Sequence, residues 1–95
     1  MEYARLGATD LTVSKVAFGT GPLGELFGPL EESTALAVVH EALDLGITFI
    51  DTSPYYGSAE ARLGKALAGR RDDVVLGTKA GRYGFDDFDF SPAAV

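Results

Sequence analysis

The chain has 95 residues, a formal net charge of −6, no cysteine and one histidine. That length holds one small domain with one modest core, and the acidic balance argues against nucleic acid or an anionic membrane surface as the main partner. Without cysteine there is no disulfide framework or thiolate metal site, and a lone histidine excludes a multi-histidine metal centre.

No apolar run approaches the roughly 20 residues needed to span a bilayer. Met1-Glu2-Tyr3-Ala4-Arg5 lacks the basic-then-apolar order of a signal peptide, so a cytoplasmic protein is the expectation. Residues 3–14 read as a hairpin: Tyr3-Ala4-Arg5-Leu6, the turn Gly7-Ala8-Thr9-Asp10, then Leu11-Thr12-Val13-Ser14 with alternating apolar positions. Val16-Ala17-Phe18 follows as a short buried strand.

Gly19-Thr20-Gly21-Pro22-Leu23-Gly24 matches the G-x-G-x-x-G dinucleotide fingerprint letter for letter. That fingerprint works by setting a helix N-terminus on a pyrophosphate. Here Pro22, Gly24, Gly28 and Pro29 interrupt the helix that should start there, and helical periodicity begins only near Glu31. A glycine-rich strand-to-helix loop is the preferred reading, with a Rossmann-type domain as the weaker alternative.

Glu31 to Leu45 reads as a helix, with Ala35, Val38, Val39, Ala42 and Leu45 or Gly46 on the apolar face. Its N-terminal glutamates suit the helix dipole, and Gly46 suits a left-handed C′ position. His40 falls off that face and is expected to be a solvated surface residue. Ile47-Thr48-Phe49-Ile50 is the next strand and runs into Asp51, an acid placed where an apolar strand ends. Such a carboxylate needs a partner. Ser58 to Leu67 is a second helix, with Leu63, Ala66 and Leu67 on one face, and Ala68 to Asp73 is a solvated turn. Val74 to Thr78 is a further strand, ending at Lys79. An aromatic, glycine-punctuated loop follows from Ala80 to Asp89. Ser91-Pro92 reads as the N-cap and first position of a third helix.

Strands alternating with helices imply an α/β chain with a parallel sheet and right-handed crossovers. The C-terminal ends of its strands then share one edge, where sites form in such folds. Asp51 and Lys79 end neighbouring strands there, and Tyr56 lies in the loop over the same edge. A tyrosine ionises near 10, and a nearby ammonium lowers that value. A carboxylate beside the lysine keeps it charged and oriented. Together the three suit proton exchange with a carbonyl or an alcohol, which fits carbonyl–alcohol redox with an external hydride carrier. Taken singly, each also has a plain structural role: Asp51 as a loop acid, Tyr56 as a packed aromatic, Lys79 as a surface lysine. Tyr55 is the rival for the acid role.

Gly46 to Ser53, Tyr56-Gly57, Ser58-Ala59-Glu60, Leu63 to Leu67 and Gly77-Thr78-Lys79 together resemble the N-terminal third of an aldo-keto reductase. The D-T-x-x-x-Y-G-x-x-E segment carries most of the resemblance. It implies a (β/α)8 barrel closed at the bottom by the hairpin, with residues 1–95 forming the hairpin and about three of the eight βα units rather than separate domains. It implies NADP or NAD as cofactor, a small carbonyl or alcohol substrate, and no metal. Position by position, it makes Asp51, Tyr56 and Lys79 catalytic and places Gly19, Thr20 and Asp51 near the cofactor. The loop from Lys79 to Gly84 and the Phe88-Asp89-Phe90-Ser91 run resemble the branch oxidising free sugars such as L-galactose, L-fucose and D-threo-aldoses. Tyr83 and Phe85 would then line the sugar pocket. The family's catalytic histidine has no counterpart here, and neither does its adenosine-phosphate site. The isolated chain is therefore expected to be inactive. A non-catalytic, cofactor-holding subunit of the same fold is the alternative.

Overall fold

A computed structural model describes all residues, 1–95. The elements are β1 (Tyr3–Arg5), β2 (Thr12–Ser14), β3 (Ala17–Gly19), α1 (Glu32–Asp44), β4 (Phe49–Asp51), α2 (Ala59–Ala66) and β5 (Val75–Gly77). β1 and β2 form an antiparallel hairpin; β3, β4 and β5 form a parallel sheet in that order, with β4 in the centre. The outer edges of β3 and β5 pair with no strand, so the sheet is an open arc.

Strand residues alternate between faces. Ile50 is buried under the helices, and Phe18 and Leu76, its neighbours in register, pack against the same core. That core also takes Ala35, Val39 and Leu43 from α1 and Ala59, Leu63 and Ala66 from α2. Residues one position along, Gly19, Asp51 and Gly77, belong to the opposite face, which no helix covers.

α1 starts one residue later than its periodicity suggests, with Glu31 extended at the N-cap. It ends as expected: Gly46 has φ 93°, its N–H donates to Leu43 and the Ile47 N–H donates to Ala42, so glycine takes the left-handed position that closes a helix. Its buried face is narrower than the sequence implies. Ala35, Val39, Ala42 and Leu43 are buried, whereas Val38 and Leu45 stand 43% and 63% exposed because nothing in this chain packs on their side. His40 is exposed but not free in solvent: its Nε2 lies 2.9 Å from the Ala66 carbonyl and links α1 to the end of α2.

The hairpin sits below the sheet, at the strands' N-terminal ends. Tyr3 donates to the Gly46 carbonyl at 2.8 Å. The Ser14 N–H donates to Thr48 Oγ1, and the Thr48 N–H donates to Ser14 Oγ, each at 2.9 Å. At the other end of the chain, Ser91 does not cap by its hydroxyl. The Ser91 side chain, and after it the Ser91 N–H that donates to Asp89 Oδ1 at 2.9 Å, hold the Asp89 carboxyl below its ordinary pKa. The Val95 N–H donates to the Ser91 carbonyl, the first bond of a helical turn.

The fingerprint-like glycines do not open an α-helix. Gly21–Gly24 is a single 3-10 turn, closed by Glu25 in the left-handed region at φ 65°. Its geometry explains two glycines: a Cβ at Gly24 would collide with the Tyr56 carbonyl, and one at Gly57 with the Gly24 carbonyl. These glycines serve backbone-to-backbone packing against the tyrosine loop. With no α-helix before Glu32, the Rossmann alternative falls.

Candidate active site

Asp51 is the last residue of the central strand, and its partners in register are Gly19 and Gly77. Both neighbours lack side chains, so the carboxylate stands on an uncrowded shelf of the open sheet face. Its backbone is fixed by Thr20, whose N–H and hydroxyl both donate to the Asp51 carbonyl, at 3.1 and 2.9 Å. The next residue is held as firmly: the Thr52 N–H donates to the Gly77 carbonyl at 2.9 Å.

Lys79 reaches this shelf from two residues beyond β5. Its Nζ donates to both Asp51 oxygens at 3.0 Å and to the Thr52 carbonyl at 2.9 Å. The hydrogen bond to Asp51 is the main reason the ammonium sits above its ordinary value of 10.5; slight burial opposes it, and the Asp51 charge and the Tyr56 phenol add to it. Asp51 has in Lys79 the partner that an acid ending an apolar strand needs, in a half-exposed place. Its side chain is 51% exposed and that of Lys79 50%, because the sheet face they share is open.

Tyr56 overhangs the pair. The Lys79 Nζ lies 5.3 Å from its ring centroid, and the half-buried Tyr56 packs against the core. The loop's own bonds set its path. The Tyr56 N–H donates to the Ser53 carbonyl and the Ala59 N–H to the Tyr56 carbonyl, both at 3.0 Å, while Gly57 turns with φ 54°. Arg62, on the buried stripe of α2, clamps the 3-10 turn onto α2. It donates to the Leu23 carbonyl at 2.9 Å and to Glu25 Oε1 at 3.2 Å. Asp51, Tyr56 and Lys79 are thus brought together as the sequence implies.

The remaining candidates divide. Gly19 is exposed beside Asp51, whereas Thr20 is fully buried with its hydroxyl committed to the Asp51 carbonyl. A cleft of about 360 Å³ adjoins the trio, lined by Ser53, Tyr55, Tyr56, Lys79, Ala80 and Arg82. Neither Tyr83 nor Phe85 lines it. The Tyr83 hydroxyl donates to the Ala94 carbonyl at 3.0 Å, and Phe85 points into solvent at 75% exposure. From the neighbouring segments, Tyr55 and Arg82 line the cleft. No group of three or more metal-ligating side chains is present.

Residues 15–95 match the model of the aldo/keto reductase family. The chain is 51% identical over 100 residues to the L-galactose dehydrogenase of Arabidopsis thaliana, covering all of this chain and 31% of that protein. It is 41% identical over 78 residues to the D-threo-aldose 1-dehydrogenase of a Pseudomonas species, covering 79% and 24%. The holo structure of an aldo-keto reductase from Bacillus halodurans superposes with a TM-score of 0.80 at 38% identity, covering 99% of this chain and 32% of that one. The chain therefore spans about a third or less of the length of these relatives, and its open three-stranded arc corresponds to part of their closed barrels. An acid, a tyrosine and a lysine meet on one strand edge within a matched region that includes all three, and the chain belongs to the aldo/keto reductase family.

Proposed function

We propose that this segment works within a complete (β/α)8 barrel as an NAD(P)-dependent oxidoreductase interconverting a carbonyl and an alcohol on a free sugar or similar small polyol. The observation that carries the reading is the Asp51–Lys79–Tyr56 cluster, in which an oriented ammonium faces a phenol at the mouth of a cleft. Family membership supports NAD(P)-dependent oxidoreduction, and similarity to an L-galactose dehydrogenase and a D-threo-aldose 1-dehydrogenase supports a sugar substrate.

In this reading Tyr56 passes a proton to the carbonyl oxygen during reduction and takes it from the alcohol during oxidation. Lys79 supplies positive charge at the phenol, and Asp51 holds Lys79 in place. The side-chain-free shelf made by Gly19 and Gly77 beside Asp51 suits close approach of a flat ring, so Gly19 and Asp51 would face the nicotinamide. Thr20 acts behind them by fixing the Asp51 carbonyl. The bound dinucleotide supplies or accepts the hydride. Residues 1–95 alone are expected to be inactive, since two strand edges are unpaired and the dinucleotide meets only part of its site.

The test is Tyr56→Phe in the complete barrel. Turnover should fall by about a hundredfold to ten-thousandfold, the usual worth of a general acid. Binding of the dinucleotide, followed by fluorescence quenching, should stay within about threefold of wild type. Unchanged turnover would move the proton to another group, with Tyr55 as the nearest rival.

A further inference from the structure

The cleft beside the catalytic trio has a second cation, and its surroundings are unlike those of Lys79. The Arg82 guanidinium lies over the Tyr55 ring, 3.9 Å from its centroid, with Phe88 at 5.1 Å and Phe85 at 5.8 Å. Nε donates to the Gly84 carbonyl at 3.3 Å and Nη2 to the Phe85 carbonyl at 2.9 Å. These two bonds and the stacking fix the plane of the group. Nη1 makes no hydrogen bond within the chain, and no carboxylate lies within ion-pair distance of Arg82, whereas Lys79 is neutralised by Asp51. The loop itself is held by the pairing of Arg82 with Phe88. A rigid, aromatic-backed donor with unspent N–H groups therefore lines the same cleft as Tyr56.

We propose that Arg82, stacked on Tyr55, is the specificity-determining residue of this cleft. It donates to a hydroxyl oxygen of a neutral polyhydroxylated substrate, away from the carbon that is oxidised or reduced. Three features favour a neutral ligand over an anion. Asp86, Asp87 and Asp89 sit in the same loop, the chain carries a net charge of −6, and the other cleft cation is already paired. The negative charge of this loop and of the chain disfavours an anionic ligand while leaving hydrogen bonding to a neutral one intact. The inference rests on the sugar-oxidoreductase reading above for the identity of the cleft.

The experiment measures equilibrium binding of L-galactose to the complete, cofactor-loaded barrel by calorimetry, with turnover of the same sugar and of an unsubstituted short aldehyde measured separately. Arg82→Met should weaken sugar binding roughly tenfold to a hundredfold, the worth of a hydrogen bond from a charged donor. It should leave kcat/KM for the short aldehyde within about threefold. Arg82→Lys keeps the charge but loses the planar fork and should recover only part of the affinity; it also guards against a Met variant that fails to fold. Absence of sugar binding in the wild type, equal losses for both substrates in Arg82→Met, or tighter binding of the corresponding uronate than of the neutral sugar would each overturn the proposal. Arg82-dependent sugar binding without turnover would sink the oxidoreductase reading and leave this one standing.

Discussion

The Asp51–Lys79 pair makes a quantitative demand. Nζ contacts both carboxylate oxygens at 3.0 Å, yet about half of each side chain remains in water. Two unit charges 4 Å apart attract by about 4 kcal/mol at an effective dielectric of 20 and about 1 kcal/mol in bulk water. Screening and the side-chain entropy lost by holding the pair reduce the net worth of exposed ion pairs to about 0.2–1 kcal/mol. Asp51→Asn should therefore cost the complete barrel only about 0.5–1 kcal/mol of unfolding free energy, while turnover falls far more because Lys79 loses its tether. The pH dependence has a definite sign. Lys79 binds its proton more tightly folded than unfolded, since its pKa is raised above 10.5. Its stabilisation is thus fully present below 10.5 and is lost as pH rises through the higher folded value. Urea midpoints without cofactor, measured at several pH values, read this directly. The gap between wild type and Asp51→Asn should be flat from about pH 6 to 9 and should narrow above 10.5. A gap of about 3 kcal/mol or more at neutral pH, the cost of breaking a buried pair, would refute the reasoning. So would a gap that widens in alkali.

Two further outcomes concern how Tyr56 is held. Gly24→Ala should cost about 1–3 kcal/mol by overpacking, because the new methyl meets the Tyr56 carbonyl; kcat should drop with little change in KM. Gly64→Ala is the control: it lies inside α2 with open space around it and should stabilise by about 0.5–1 kcal/mol in a thermal melt. Arg62→Met removes a buried donor from the Leu23 carbonyl and should cost about 1–3 kcal/mol, read from urea midpoints. A cost below about 0.5 kcal/mol would mean that the 3-10 turn does not depend on this clamp.

Much of the fold was legible because local chemistry and tertiary packing agree. The apolar run into Asp51 is a strand whose alternation buries Ile50 and turns Asp51 to the open face, and Gly46 closes α1 in the left-handed conformation its position called for. What the sequence misplaced depends on contacts between distant segments. Val38 and Leu45 satisfy helical periodicity, but periodicity does not say whether a neighbour is present to cover them. His40 faces away from the apolar stripe, and only the approach of α2 gives it the Ala66 carbonyl. Tyr83 and Phe85 share the aromatic loop with Arg82, and composition cannot tell which of the three turns toward the cleft; in the structure it is Arg82. Arg62 left a readable sign: it falls three residues after Ala59 and four before Ala66, on the stripe that α2 buries, where an arginine needs acceptors.

On the proposed reading, the same pattern of contacts suits each member of the trio to a distinct task. Lys79 has three protons, and they go to two carboxylate oxygens and the Thr52 carbonyl. Both anchors lie at the end of the central strand, and Thr20 and the Gly77 carbonyl fix that end from the two flanking strands. Lys79 is thereby tied to the most constrained backbone in the sheet although it follows the strand at its edge. What reaches the Tyr56 phenol is mainly the charge of an ammonium whose position is already determined. On this reading Asp51 acts through Lys79 and need not touch the proton being transferred, so replacing it should degrade catalysis by loosening Lys79. Lys79→Met removes the charge itself and should depress turnover at least as far, with a displaced pH profile that Asp51→Asn shows only in part. A profile shifted more by Asp51→Asn than by Lys79→Met would reverse that order of dependence.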